Sequence, residues 1–172
     1  PRSRASFETK MSAEQKIYSK VKVSSLMVNE KDHSITMAAA EPASVDRVVT
    51  FRNAHGWHAK GTTDVILEHF FEILKAGGKL GIVQHVADSN QDWMSSNIGY
   101  IGREYIINHA ITAGFQLEAE GFFNRNPLDT KRYTQAVRQL PPSLTDSNND
   151  SEKAPYLTIG ESDRMTLVFV KP

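Results

Sequence analysis

The chain has no cysteine among its 172 residues. That excludes disulfides, thiolate metal sites and a cysteine nucleophile, while leaving the compartment open. Neither sign of charge is in excess: 20 basic and 20 acidic residues cancel. Nothing global therefore points to nucleic acid or an anionic membrane as a partner. No apolar run approaches the ~20 residues of a membrane helix. The opening stretch "PRSRASFETKMSAEQK" lacks the apolar centre of a secretory signal. A cytoplasmic location and a small-molecule substrate are the expectations that remain. Glycine is also late to arrive, with Gly56 the first, so no glycine-rich ligand turn precedes it. The first residue is Pro1 and not Met, which leads us to expect a processed or trimmed amino end.

What is present is the composition of an ordinary folded domain, 40% apolar and 23% charged, enough for one hydrophobic core. Residues 1–172 are read as a single domain. Residues 1–20 have weak helical character. "VKVSSLMVN" (21–29) and "SITMAA" (34–39) suit strands around a "KDH" turn, and "VDRVVTF" (45–51) reads as a buried strand. The clearest helix is "TTDVILEHFFEILKAGGK". Thr62 or Thr63 suits its N-cap, Asp64 its first turn and Lys75 its last, with Val65, Ile66, Phe70 and Leu74 at helical spacing. Gly77-Gly78 can supply a left-handed end. "KLGIVQHVA" (79–87) then reads as a strand covered on both faces.

"DSNQDWMSSN" (88–97) reads as a loop. "YIGREYIINHAITAG" (100–114) is a helix with Ile107, Ala110 and Ile111 on its buried side. "FQLEAEGFF" (115–123) and "RMTLVFVK" (164–171) are strands, joined by a long polar connection holding one short helix. Within that connection residues 143–155 read as a solvated, mobile loop. Strands separated by helix-length segments imply parallel pairing. The last two, with no clear helix between them, can pair antiparallel.

One stretch is too rich for a connection. "FRNAHGWHAK" (51–60) packs Asn53, His55, Trp57 and His58 directly behind a strand, where a turn needs only Gly, Asn, Asp or Pro. In open α/β sheets ligands bind beyond the carboxyl ends of the strands, and this stretch lies at such an end.

"LKAGGKLGIVQH" (74–85) resembles the turn and following strand of class I S-adenosylmethionine-dependent methyltransferases, with Ala76 where proline is common. "VDRVVTF" is similar to the strand before it, "ITAGFQLEAEG" to the family's helix-turn-strand, and "MTLVFVKP" to its last antiparallel strand. "FRNAHGWH", "GYIGREYIINHAITAGF" and "NRNPLDTKRY…LPPS" resemble, more narrowly, a poorly characterised bacterial branch of predicted methyltransferases. The likeness covers roughly residues 45–172. It implies a Rossmann-like, three-layer α/β fold with a mostly parallel sheet and an antiparallel C-terminal strand. It also implies methyl transfer from S-adenosylmethionine to an unknown, small acceptor.

The chain departs from that family where the cofactor should be held. The family's glycine-rich turn, and the acid ending the next strand, have no counterpart before residue 45. Two readings stay open: the amino-terminal third is missing, which we favour, or the domain is shortened and cannot hold the cofactor in the usual way. A sheet lacking its first strands would expose a long edge that invites pairing with a second copy. On the resemblance, Asn53, Ala54, His55 and Trp57 fall at the cofactor side, and Trp57 could stack on a sulfonium. His55, His58 and His85 are the candidate general bases, with Asp88 a possible orienting carboxylate for His85. Tyr100, Arg125, Asn126 and Asp129 fall at the substrate side, the last three in a segment that could close as a lid. His69 and His109 read as ordinary helix residues, and Lys131-Arg132 as a solvated face. No metal is expected. Two rivals stand beside this reading: a non-catalytic methyltransferase-like binding or dimerisation module, and a metal-assisted hydrolase built on His55, His58 and His85.

Overall fold

A computed structural model describes residues 2–29, 31–88, 99–145 and 147–172. Two helices open the chain, α1 (Arg2–Ala13) and α2 (Gln15–Tyr18), and a two-stranded antiparallel sheet follows, β1 (Met27–Val28) with β2 (Ile35–Met37). Then come β3 (Val45–Phe51), α3 (Ala54–Ala59), α4 (Thr63–Ile73), β4 (Leu74–His85), α5 (Arg103–Thr112), β5 (Gln116–Gly121), a 3-10 turn at Ala136–Gln139, α6 (Asp150–Ile159) and β6 (Arg164–Val170).

The main sheet has the order β3-β4-β6-β5. β3 and β4 pair in parallel through α3 and α4, while β6 runs antiparallel to both neighbours. Three strands thus point one way and the C-terminal strand opposes them, the α/β arrangement expected. β6 alternates cleanly, burying Met165, Leu167 and Phe169, as period-two geometry requires of a strand packed on one face. Those side chains join Leu80 and Ile82 of β4 and the apolar stripe Ile66, Leu67, Phe70 and Ile73 of α4. α5 adds Ile106, Ile107 and Ala110 to the same core. This packing fixes the strand ends to one rim, where the chemistry collects.

Five local expectations are corrected. α4 stops at Ile73, and Leu74 is already extended (ψ 141°). Gly77 does take a left-handed φ of 72°, but inside a register shift between Val45 and Arg47 in the pairing of β3 with β4. Thr62 occupies the N-cap position, yet its hydroxyl donates to the Trp57 carbonyl and caps nothing. Ile111 is 53% exposed, because Ile106 and Ala110, a turn apart, set the buried stripe and Ile111 lies past its edge. β3 is an edge strand, not a buried one: it pairs only with β4 among the described residues, and Val49 and Phe51 are 65% and 60% exposed. Residues 150–159 form a helix where a loop was expected. Its signal was present in Asn149-Asp150-Ser151-Glu152: the Asn149 carbonyl accepts from the Glu152 N–H, and the Asn149 amide donates to the Glu152 carboxylate. The expected loop at 88–97 lies, beyond Asp88, outside the described residues.

Candidate functional site at the strand ends

β3 and β4 both finish on one rim, and antiparallel β6 begins there, His85 opposite Arg164. Arg52 turns the chain off β3 with φ 60° while its N–H still donates to the Val83 carbonyl at 2.7 Å. The following stretch is the short helix α3. Asn53 stands at its N-cap position without capping it, because its amide donates to the Thr50 hydroxyl at 3.0 Å.

Gln84, which sequence reasoning did not nominate, ties this corner together. It is fully buried in β4. Its carbonyl accepts from the Ala54 N–H at 3.1 Å, and its amide donates to the Gly99 carbonyl at 2.9 Å and reaches His55 Nδ1 at 3.3 Å. The His55 and His85 rings lie 6.0 Å apart, and the His85 ring lies 6.1 Å from that of Tyr100. His85 Nδ1 meets the Ser162 hydroxyl at 2.5 Å. Burial first, then neighbouring His55 and the charges of Arg164 and Arg52, depress the His85 imidazole from 6.5 to about 3. Burial first, then the charges of Arg138 and Arg52, also lower His55.

Behind the histidines lies a dense ionic network. The Tyr100 hydroxyl donates to both oxygens of Asp129 at 3.0 and 2.9 Å. Asp129 also accepts from the Lys131 N–H at 2.9 Å and the Asp163 N–H at 2.7 Å. Asp163 takes Arg125 through two bonds at 2.7 and 3.1 Å, and Lys131 Nζ at 3.0 Å. Lys131 also pairs with Asp88. Burial works to raise the Asp163 carboxyl, and the Arg125 pair, the Asn126 N–H and Lys131 outweigh it, holding the acid below its ordinary value. Burial, then the Asp129 charge, pushes the Tyr100 phenol well up.

The nominated residues divide accordingly. Asn53 and Trp57 line a cleft of about 480 Å³ with Leu26, Met27 and Val28 of the amino-terminal segment, and Trp57 packs edge-on against Phe70. His55 lines a separate cleft of about 460 Å³. Arg125, Asn126 and Asp129 line a third, of about 570 Å³. Ala54 is a core residue, 1% exposed with its N–H taken by Gln84, so it offers a ligand nothing. Tyr100 is fully buried and its hydroxyl is spent on Asp129, so it meets no substrate in this structure. His85 is an internal, weakly basic imidazole bonded to Ser162; its expected carboxylate, Asp88, goes to Lys131 instead.

His58 packs edge-on against Tyr105 of α5, ring centres 4.8 Å apart. That takes the third histidine from the metal-hydrolase reading, and no group of three His, Asp or Glu among the described residues could hold a metal ion. Lys131 is buried, contrary to the solvated face expected, because Asp88 and Asp163 surround its ammonium. The Asn126 loop is anchored: its side-chain carbonyl accepts from the Leu128 N–H, and its amide donates to the carbonyls of Ile159 and Glu161. His69 is buried, accepting from the Ala39 N–H, and His109 pairs with Asp64.

With this geometry in view, solved structures can be compared. A geranyl diphosphate methyltransferase bound to S-adenosylmethionine superposes with a TM-score of 0.61 at 12% identity, over all of this chain and 66% of its own. The geranyl diphosphate C-methyltransferase from Streptomyces coelicolor gives 0.59 at 11% identity, over 99% of this chain and 59% of its own. The (4+2)-cyclase SpnF gives 0.58 at 15% identity, over 95% of this chain and 61% of its own. The chain therefore has the class I S-adenosylmethionine-dependent methyltransferase fold and spans less than two thirds of these chains. No family model matches it, and no curated protein does. No described helix is long and apolar enough to cross a membrane. One of the three is a cyclase, so the fold does not fix the reaction.

Proposed function

We propose that the chain serves S-adenosylmethionine-dependent methyl transfer to a small acceptor in the cytoplasm, without nucleic acid or membrane as partner. The observation that carries this is the strand order β3-β4-β6-β5, with a polar rim at the ends of β3 and β4, in the fold shared with two methyltransferases. The residues present do not complete the usual cofactor grip. Residues 1–44 contain no glycine, so no backbone turn there allows the close approach that the methionine part of the cofactor needs. What this chain brings is one side of the site: Asn53 and Trp57 in the cleft toward the amino-terminal segment, and His55 in the neighbouring one, while Arg125 and Asn126 are taken up by their internal partners. Titration calorimetry with S-adenosylmethionine, on this chain and on any longer natural form, tests the reading. Binding by the longer form supports it; binding by neither ends it.

A second reading is favoured by one observation. β3 has a free hydrogen-bonding edge among the described residues, with Val49 and Phe51 exposed beside it. Such an edge suits a non-catalytic module that pairs with a second copy. Sedimentation velocity distinguishes it: a dimer of this chain that Phe51→Asp converts to monomer supports the module, and a monomer at all concentrations removes it.

A further inference from the structure

Gln84 decides what His55 can do. The Ala54 N–H can only donate and the Gly99 carbonyl can only accept, so their bonds to Gln84 fix which end of the amide is oxygen and which is nitrogen. The amide's second N–H then faces His55 Nδ1 at 3.3 Å. Nδ1 must accept, and the neutral ring carries its proton on Nε2. His55 thus offers its cleft a hydrogen-bond donor, where the sequence suggested a base.

The cleft's other lining residues are Gly56, Ala59, Gly99, Ala136, Val137 and Arg138. All but Arg138 are small or apolar. The Arg138 guanidinium has no carboxylate or hydrogen-bond partner among the described residues, unlike Arg103, Arg125 and Arg164, each paired with an acid. Among the described residues, no acidic side chain lines the cleft. Gly99 sits there with φ 81°, and a Cβ at that position would come within 2.7 Å of Val137, so the wall closes only with glycine.

We propose that this cleft binds the carboxylate of a small organic acid, held by the Arg138 guanidinium and the Nε2–H of His55. A single guanidinium, uncompensated among the described residues, beside an imidazole N–H donor matches one negative charge, and guanidinium geometry matches a carboxylate's two oxygens. The methyl and glycine walls suit the acid's apolar body. Burial lowers the His55 pKa, which favours a monoanion over a dianion. The site needs no cofactor, so its failure leaves the methyl-transfer reading standing, and the reverse holds.

The test titrates sodium benzoate into this chain, following the His55 ring protons by NMR, with benzamide as the neutral isostere and inorganic phosphate as competitor. The expected dissociation constant is on the order of 1 mM or lower. Arg138→Gln should weaken it at least about tenfold, and Lys16→Gln, a distant exposed cation, should not change it. A long-range proton–nitrogen spectrum should show His55 protonated at Nε2. The proposal is overturned by no benzoate binding, by equal binding of benzamide, by displacement of benzoate with phosphate, by an unaffected Arg138→Gln, or by a His55 ring protonated at Nδ1.

Discussion

Around Asp129 and Asp163, each buried oxygen meets a donor and each cation meets an acid: Tyr100, Arg125 and Lys131 are consumed by their partners. Around His55, on the same rim, Arg138 and Arg52 have no acidic partner among the described residues and burial lowers the histidine's pKa. Both regions are polar, and both were nominated from sequence as binding residues. The difference teaches that polarity at a strand end is not itself a sign of ligand binding. A closed network holds loops in place, because a buried ion pair must satisfy its partners internally. An open one, with donors left over, is where a ligand gains something.

The comparison can be broken by substitution. The largest effect is expected for Asp129→Ala, which leaves the Tyr100 hydroxyl and two buried N–H groups without an acceptor. Urea unfolding should show a loss of about 3–5 kcal/mol; a loss below 1 kcal/mol would mean the network is not closed.

Next comes acid. His85 is depressed to about 3 in the folded state from an ordinary 6.5, so below pH 6.5 the unfolded chain binds a proton that the folded chain refuses. Its contribution is full above pH 6.5 and is lost as pH falls toward 3. The slope is at most about 1.4 kcal/mol per pH unit, or about 2–3 kcal/mol between pH 6.5 and 4.5. His85→Gln should flatten that portion of the stability profile, and an unchanged profile would place the titrating group elsewhere.

Gly99→Ala comes third, at about 1–2 kcal/mol from a left-handed φ and crowding against Val137, with benzoate affinity falling beside it. The smallest effect separates the two regions most sharply. Arg138→Gln should change stability by less than about 0.5 kcal/mol, since the guanidinium has no partner to lose among the described residues. A cost near that of Asp129→Ala would show that Arg138 belongs to a structural network.

Much of the fold was legible. Period two in "RMTLVFVK" gave a half-covered strand, and the stripe Ile66, Phe70 gave the helix before β4, though not its end, since Gly77-Gly78 lies inside the strand. The rim was legible too, since strands joined by helices place their ends together. The capping pattern at Asn149 was readable and was passed over for the polar composition around it. Gln84 was not readable. A glutamine inside "KLGIVQHVA" has meaning only once Ala54, His55 and Gly99, distant in the chain, are brought to it.

By itself, the sequence determined the main strands and the helices before β4 and β5, the crossover that makes β3 and β4 parallel, and most of the residues able to do chemistry at their ends. Periodicity and turn residues are local properties, readable one segment at a time. Only the tertiary structure decided which of those residues are used up: that Lys131 is buried between two acids, that Tyr100 and Asp129 satisfy each other, and that Gln84 turns His55 into a donor. Those outcomes depend on partners far apart in the chain, and the partner of a buried polar group sets whether it supports the fold or faces a ligand.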